Sequence, residues 1–146
     1  MISTRLELAK IEDLIEHEEV DEEHLKKISR LIAADGVLKR PLAVDYRTRI
    51  VLDGVHRLNF LKRCEFECEK VPVYSMDFLS DQIVVFSADH TKLMHKDDVI
   101  EAALSGKKLP PRTTWHMIRM ANGHLEHISV IEKEAHYPLV SLAMNR

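Results

Sequence analysis

The chain reads as an α+β domain: a mixed sheet with flanking helices. Three observations predict this. Short runs rich in Val, Ile and Leu alternate with stretches of helical apolar spacing. The 146 residues are 45% hydrophobic and 31% charged, the composition of an ordinary globular domain long enough to bury a core. No repeat or low-complexity linker divides them.

The elements follow in order. Arg5 to Ile11 alternates apolar and polar residues, as a half-buried strand does. After the turn Glu12-Asp13-Leu14, Asp21 is placed to cap a helix whose apolar face is Leu25, Ile28, Leu31 and Ile32. Gly36 is its stop. Pro41 to Asp45 and Ile50 to Leu52 are partner strands around the turn Tyr46-Arg47-Thr48-Arg49. Lys70 to Tyr74 is a further strand, and Pro72 suits an edge better than a centre. Gln82 to Phe86 is another strand. Asp97 to Leu104 is a helix closed by Gly106, and Ile128 to Ile131 is a short strand in the tail.

One stretch organises the rest. Ile50-Val51-Leu52 ends at Asp53-Gly54, and Val55, Leu58 and Leu61 then repeat at helical spacing. This is strand, one-glycine turn, helix. Gly54 allows backbone angles other residues resist and a close ligand approach. A helix start offers unpaired N–H groups and a positive dipole end, which suit phosphate. His56 and Arg57 add donors in the same turn. Asp53 is either a metal or hydroxyl partner or a plain helix cap.

Several function classes are disfavoured by the totals. The glycines are Gly36, Gly54, Gly106 and Gly123, and neither of the two common Gly-rich nucleotide loops can be written with them. The net charge of -3 argues against a duplex-DNA reader. Cys64 and Cys68 have three residues between them, not the two of a redox or zinc pair, and read as structural thiols in a reducing compartment. The first residues lack the apolar core of a signal peptide, and no apolar run reaches bilayer length, so a cytoplasmic protein is expected.

Three clusters carry chemistry. In His17-Glu18-Glu19 a carboxylate could take a hydroxyl proton, although acidic residues ahead of a helix also simply favour its dipole. Asp53 to Arg57 is the second cluster. The third is Thr113-Thr114-Trp115-His116, where two hydroxyls follow Pro110-Pro111. It reads either as a stiffened donor loop or as a helix N-cap with Trp115 in the core.

His17-Glu18, the helix ending in Asp35-Gly36, Lys39-x-Pro41, the Val51 to Arg57 stretch and Val71-Pro72-Val73 together resemble the ParB/sulfiredoxin superfamily. Within it the chain is most similar to the free L-serine kinases. Their hallmarks are a strand-borne Asp-Gly-x-His-Arg and a late Lys-Thr-Thr-Arg-His, seen here as Arg112-Thr113-Thr114-Trp115-His116. The resemblance covers residues 6–78 and, locally, 109–118.

It implies a ParB N-terminal/sulfiredoxin-like fold in one domain over residues 1–146, with a core at 5–90 and residues 96–146 completing a nucleotide site. It implies a kinase that uses ATP or ADP with Mg²⁺ to phosphorylate free serine to O-phosphoserine. Glu18 would be the base, and Asp53 the Mg²⁺-side or second catalytic group. Gly54, Val55, His56, Arg57, Thr113, Thr114 and His116 would hold the nucleotide phosphates. Residues 82–90 are the nearest uncommitted segment for a serine pocket, and oligomeric state is left open. Trp115 stands where the family has Arg. The alternative is a non-catalytic, nucleotide-binding regulatory domain. Sulfiredoxins carry a catalytic Cys where this chain has Val55, which argues against sulfinic-acid reduction.

Overall fold

The computed structural model describes residues 2–143. Strand β1 (Arg5–Lys10) leads through a 3-10 turn to helix α1 (Glu22–Asp35). Asp21 caps α1 by accepting from the N–H groups of Glu23 and His24, and Gly36 ends it at φ 66°. Next come β2 (Val37–Leu38), β3 (Leu42–Asp45), β4 (Val51–Asp53) and α2 (Val55–Arg63). The chain continues through β5 (Lys70–Met76), β6 (Ile83–Ser87), α3 (Lys96–Ser105), β7 (Thr114–Arg119) and β8 (Leu125–His127). A 3-10 turn (Ile128–Ile131), β9 (Tyr137–Pro138) and α4 (Leu139–Leu142) close it.

Among the described residues the strands form three sheets: β1-β5-β3-β4, β6-β7-β8 and β2-β9. The first is mixed, with β3 parallel to β5 and its other pairs antiparallel. Strand side chains alternate between faces, and here both faces are covered. Leu42 and Val44 of β3 pack with Leu25, Ile32, Leu58 and Leu61 of α1 and α2. Ala43, between them, joins a second core with Ile83, Val85, Val99 and Ile118 from β6, α3 and β7. The main sheet is therefore a partition between the two helices and the three-stranded sheet. This brings the C-terminal end of β4 beside the start of β7.

Several expectations are corrected. Pro72 lies in β5, an interior strand, opposite Leu8 and one residue before the β3 ladder begins at Val73. Ile128–Ile131 is a 3-10 turn, not a strand, because Ile128 and Ile131 drop together into the core. The alternation in β1 is real, but Leu6 and Leu8 form its exposed face. Glu7, on the other face, pairs with Arg49 at 2.7 Å. Leu31 of α1 is 64% exposed, so the apolar stripe is narrower than its spacing suggests. No helix among the described residues is long and apolar enough to cross a membrane.

Candidate active site

The site begins at the end of β4. Gly54 takes φ +105°, and a Cβ there would meet Leu42 Cδ2 at 2.5 Å and Arg57 Nη2 at 3.0 Å. The turn thus needs glycine for its conformation and for its packing. Gly54 is the N-cap of α2 and provides no side-chain cap, and Asp53 does not cap either. The first-turn N–H groups of α2 are open to a ligand.

The chain from the other half of the molecule meets this turn through residues 17–19. Leu109 N–H donates to the His17 carbonyl at 2.8 Å, and Glu19 N–H donates to the Leu109 carbonyl at 2.9 Å. This short parallel bridge draws Thr113 and Thr114 onto Glu18. The Glu18 carboxylate accepts from Thr113 N–H at 2.6 Å and from Thr114 Oγ1 at 2.7 Å. His17 Nε2 stands 3.3 Å from it, while His17 Nδ1 donates to the Val51 carbonyl at 3.0 Å. Burial pushes the Glu18 carboxyl up, but His17 and the threonine donors outweigh it, and the net shift is downward. Glu18 is a held, ionised carboxylate and not merely a dipole partner for α1, whose cap is Asp21.

Thr114 opens a strand, so the helix-cap reading of Thr113 and Thr114 is corrected. Trp115 is half-buried and does not enter the core. Its ring lies between those of His90 at 4.6 Å and His127 at 4.5 Å. His116 faces the opposite way and is buried against Phe78 and His17. Its Nε2 has no partner. Burial first, then the neighbouring His17, lowers its pKa to about 3, so the ring is neutral.

The α2 start carries its own commitments. His56 Nε2 accepts from Asp21 N–H at 3.0 Å, and its ring meets that of His24 edge-on at 4.6 Å. Burial and then His24 lower the His56 pKa, in keeping with a neutral ring whose Nε2 accepts. Arg57 Nη1 donates to the carbonyls of Arg40 and Pro41, each at 2.9 Å. Its Nη2 meets Asp53 Oδ2 at 3.4 Å and Glu132 Oε1 at 3.0 Å. The guanidinium lies on the cavity wall, but its donors serve the protein.

One cavity of about 750 Å³ joins these groups. Its walls include Glu18, Asp53, Gly54, Val55, His56, Arg57, Thr114 and His116, and Arg40 and Arg112 also line it. Thr113 is not among its lining residues; it touches the site through its N–H on Glu18. Of residues 82–90, Ala88 reaches the cavity. Sequence reasoning missed Glu132, His127, Arg40 and His24. His24 carried a weak signal, standing in the first turn of a capped helix; Glu132, after an apolar run, carried none. Among the described residues no group of three or more His, Cys, Asp or Glu is placed to hold a metal ion.

No family model and no curated protein sequence matches the chain. Solved structures do. A conserved hypothetical protein from Pyrococcus furiosus superposes with a TM-score of 0.51 at 16% identity, over 56% of this chain and 36% of that one. A free serine kinase in complex with AMP gives 0.51 at 18% identity, over 59% and 38%. A variant free serine kinase in complex with ADP gives 0.51 at 17% identity, over the same shares. The matched segment is little more than a third of the length of those proteins. At these identities the likeness is one of fold alone, a mixed α+β fold shared with those structures.

Proposed function

We propose that the cavity binds a nucleoside di- or triphosphate and transfers its terminal phosphoryl group to the hydroxyl of free L-serine, giving O-phospho-L-serine. The observation that carries this is the 2.7 Å bond from Thr114 Oγ1 to Glu18 Oε2. It puts a partly buried carboxylate and the late donor motif in the same cavity as the uncapped start of α2. Phosphoryl transfer asks a protein mainly for positioning and charge stabilisation. The free serine kinases that share the fold, held with AMP and ADP, support a nucleotide as the ligand.

Each group then has a role. The backbone N–H groups of Gly54, Val55 and His56 cradle phosphate oxygens. Thr114 and His116 form the facing wall, and Thr113 acts through its N–H on Glu18. Glu18 takes the serine hydroxyl proton as the new P–O bond forms and the shortened nucleotide leaves. Two carboxylate oxygens have about four acceptor positions, so Glu18 keeps room for a hydroxyl beside its present donors. Arg57 holds Asp53 in place. Arg112 reaches Asp21 through Nε at 3.3 Å and leaves its Nη groups for phosphate.

Asp53 fits Mg²⁺, which commonly binds one or two carboxylates together with substrate phosphates, not an all-protein cage. Bound there it would neutralise phosphate charge. On this reading residues 1–146 act as one domain, residues 96–146 completing the site begun by the core at 5–90.

One observation favours a second reading. Trp115 stands between two imidazoles where the resembling family has a phosphate-facing Arg. A nucleotide-sensing domain without transfer would tolerate that change. Incubation with serine, Mg²⁺ and either ATP or ADP, with phosphoserine read by mass spectrometry, separates the two. Nucleotide binding without product supports the sensor.

A further inference from the structure

His17, Thr114 and Glu18 meet in a triangle of polar atoms. His17 Nε2 lies 3.1 Å from Thr114 Oγ1 and 3.3 Å from Glu18 Oε2, and Thr114 Oγ1 lies 2.7 Å from Glu18 Oε2. His17 and Thr114 are buried, and the Glu18 side chain is 12% exposed. The Val51 carbonyl can only accept, so His17 Nδ1 carries a ring proton. His17 draws the Glu18 carboxyl down only when the ring is doubly protonated. In the neutral ring, the ordinary form above about pH 7, Nε2 is an acceptor. The ionised Glu18 carboxylate is acceptor-only as well. Thr114 brings the one hydrogen, and the shorter distance assigns it to Glu18.

Three atoms thus share one hydrogen, and two acceptors face each other across 3.3 Å. A second hydrogen completes the set. With Glu18 protonated, its O–H donates to Thr114 Oγ1, and the Thr114 hydroxyl turns to His17 Nε2. Both distances lie within hydrogen-bond range, so the hydroxyl changes acceptor by rotation alone. We infer that His17 is a positioning residue for the base: its Nε2 is the second seat of the Thr114 hydrogen, occupied when Glu18 takes up a proton. This deepens the phosphotransfer reading above and rests on it.

In that transfer the serine O–H bond breaks and an O–H bond forms on Glu18. The serine oxygen bonds phosphorus, and the bridging P–O bond breaks with its electron pair leaving on the nucleotide. Thr114 keeps its own O–H bond throughout. Without His17 Nε2 its buried hydroxyl would face a carboxyl that no longer attracts it, and a buried donor left unpaired is costly. The ring therefore favours the protonated base that forms as the reaction proceeds over the resting carboxylate. His116 packs edge-on against the ring at 5.3 Å, and with the Val51 carbonyl it holds Nε2 towards Thr114.

Two amides divide the functions of the ring. Asn reaches the place of Nδ1 and keeps the donor to Val51, with nothing at Nε2. Gln reaches the place of Nε2 and can accept from Thr114, with no donor to Val51. The test measures phosphoserine turnover and serine KM, with ADP and ATP Kd by calorimetry, on the wild type, His17→Asn and His17→Gln. The kcat of His17→Asn should fall about tenfold, the worth of one hydrogen bond, with KM and Kd unchanged. His17→Gln should restore most of that loss. A ring needed only for its bond to Val51 would give the opposite order, and any order but the expected one would overturn the inference.

No phosphoserine from the wild type with either nucleotide removes the kinase reading by itself. Ring-nitrogen NMR of His17 at about pH 8, above the ordinary titration range of histidine, then decides the inference, as it does if a variant fails to fold. The proton should sit on Nδ1 and not on Nε2. Glu18→Gln imitates the protonated carboxyl. Thr113 N–H holds the amide oxygen at the place of Oε1, so the amide N–H faces Thr114. In that variant the Nε2 signal should move upfield as the Thr114 hydroxyl turns to it. A proton on Nε2 of the wild type, or an Nε2 signal unmoved between the two proteins, would overturn the second seat.

Discussion

Thr114 Oγ1 donates to Glu18 Oε2 across 2.7 Å, joining residues 96 positions apart. With the Thr113 N–H on Oε1 at 2.6 Å, it clamps both carboxylate oxygens against the start of β7. The clamp aligns a candidate base with the open turn of α2, and it ties the catalytic proposal to the integrity of the two-part fold.

Arg57 is the first place where this architecture changes an expectation. A phosphate-gripping Arg would lose only its ligand contact on truncation. Here Arg57 neutralises Asp53 and supplies a donor to the fully buried Glu132. Arg57→Ala should therefore cost about 3–5 kcal/mol of stability, the usual result of stranding a buried charge. Urea unfolding checks it. A loss below about 1 kcal/mol with an intact fold would show that the carboxyl pair does not depend on the guanidinium.

Trp115 makes the opposite case. It is half-buried between His90 and His127, outside both cores. Trp115→Arg buries no charge, and its effect on stability should stay within about 1 kcal/mol. If β7 faces the phosphates, nucleotide affinity should rise through a new charge-assisted contact worth about 1.5–3 kcal/mol. Calorimetry with ADP reads the second effect and thermal melting the first. A stable variant with unchanged affinity would remove this position from the site.

Much of this was legible locally. Asp21 and Gly36 bound α1 through cap chemistry alone, and the Ile50 to Leu61 pattern showed strand, glycine turn and helix. What joins Glu18 to Thr114 is tertiary, and no periodicity predicts it; only the family resemblance put both in one site. Pro72 misled because a missing N–H disfavours an interior strand only where the ladder needs it, and the β3 ladder starts at Val73. Glu132 was illegible. A Glu after an apolar run reads as solvated, and its burial is set by Arg57, 75 residues away.

His116 predicts an acid limb. Its folded pKa of about 3 lies below the ordinary 6.5, so the unfolded chain binds the proton first. Stability contributed by the neutral ring is present above about pH 6.5 and is lost as pH falls towards 3. His24 and His56, also lowered, act in the same direction, and Glu132 opposes them between its usual value and about 8. His116→Phe, which removes the unpartnered nitrogen beside Phe78, should make the slope shallower by one proton, about 1.4 kcal/mol per pH unit. Urea unfolding of both proteins between about pH 6 and pH 5 measures it; identical slopes would place the His116 titration elsewhere.

The central claim is that Glu18 is the base of a phosphotransferase. Glu18→Gln preserves shape and can still accept from Thr113 or Thr114, but it cannot take a hydroxyl proton. The decisive measurement pairs the two proteins: nucleotide Kd by calorimetry, and phosphoserine formed per minute with ATP and with ADP. The account predicts that Kd survives the substitution while turnover falls on the order of 10²–10⁴-fold. Equal turnover in both proteins would contradict Glu18 as the base, and tight nucleotide binding with no phosphoserine from either would contradict the kinase itself.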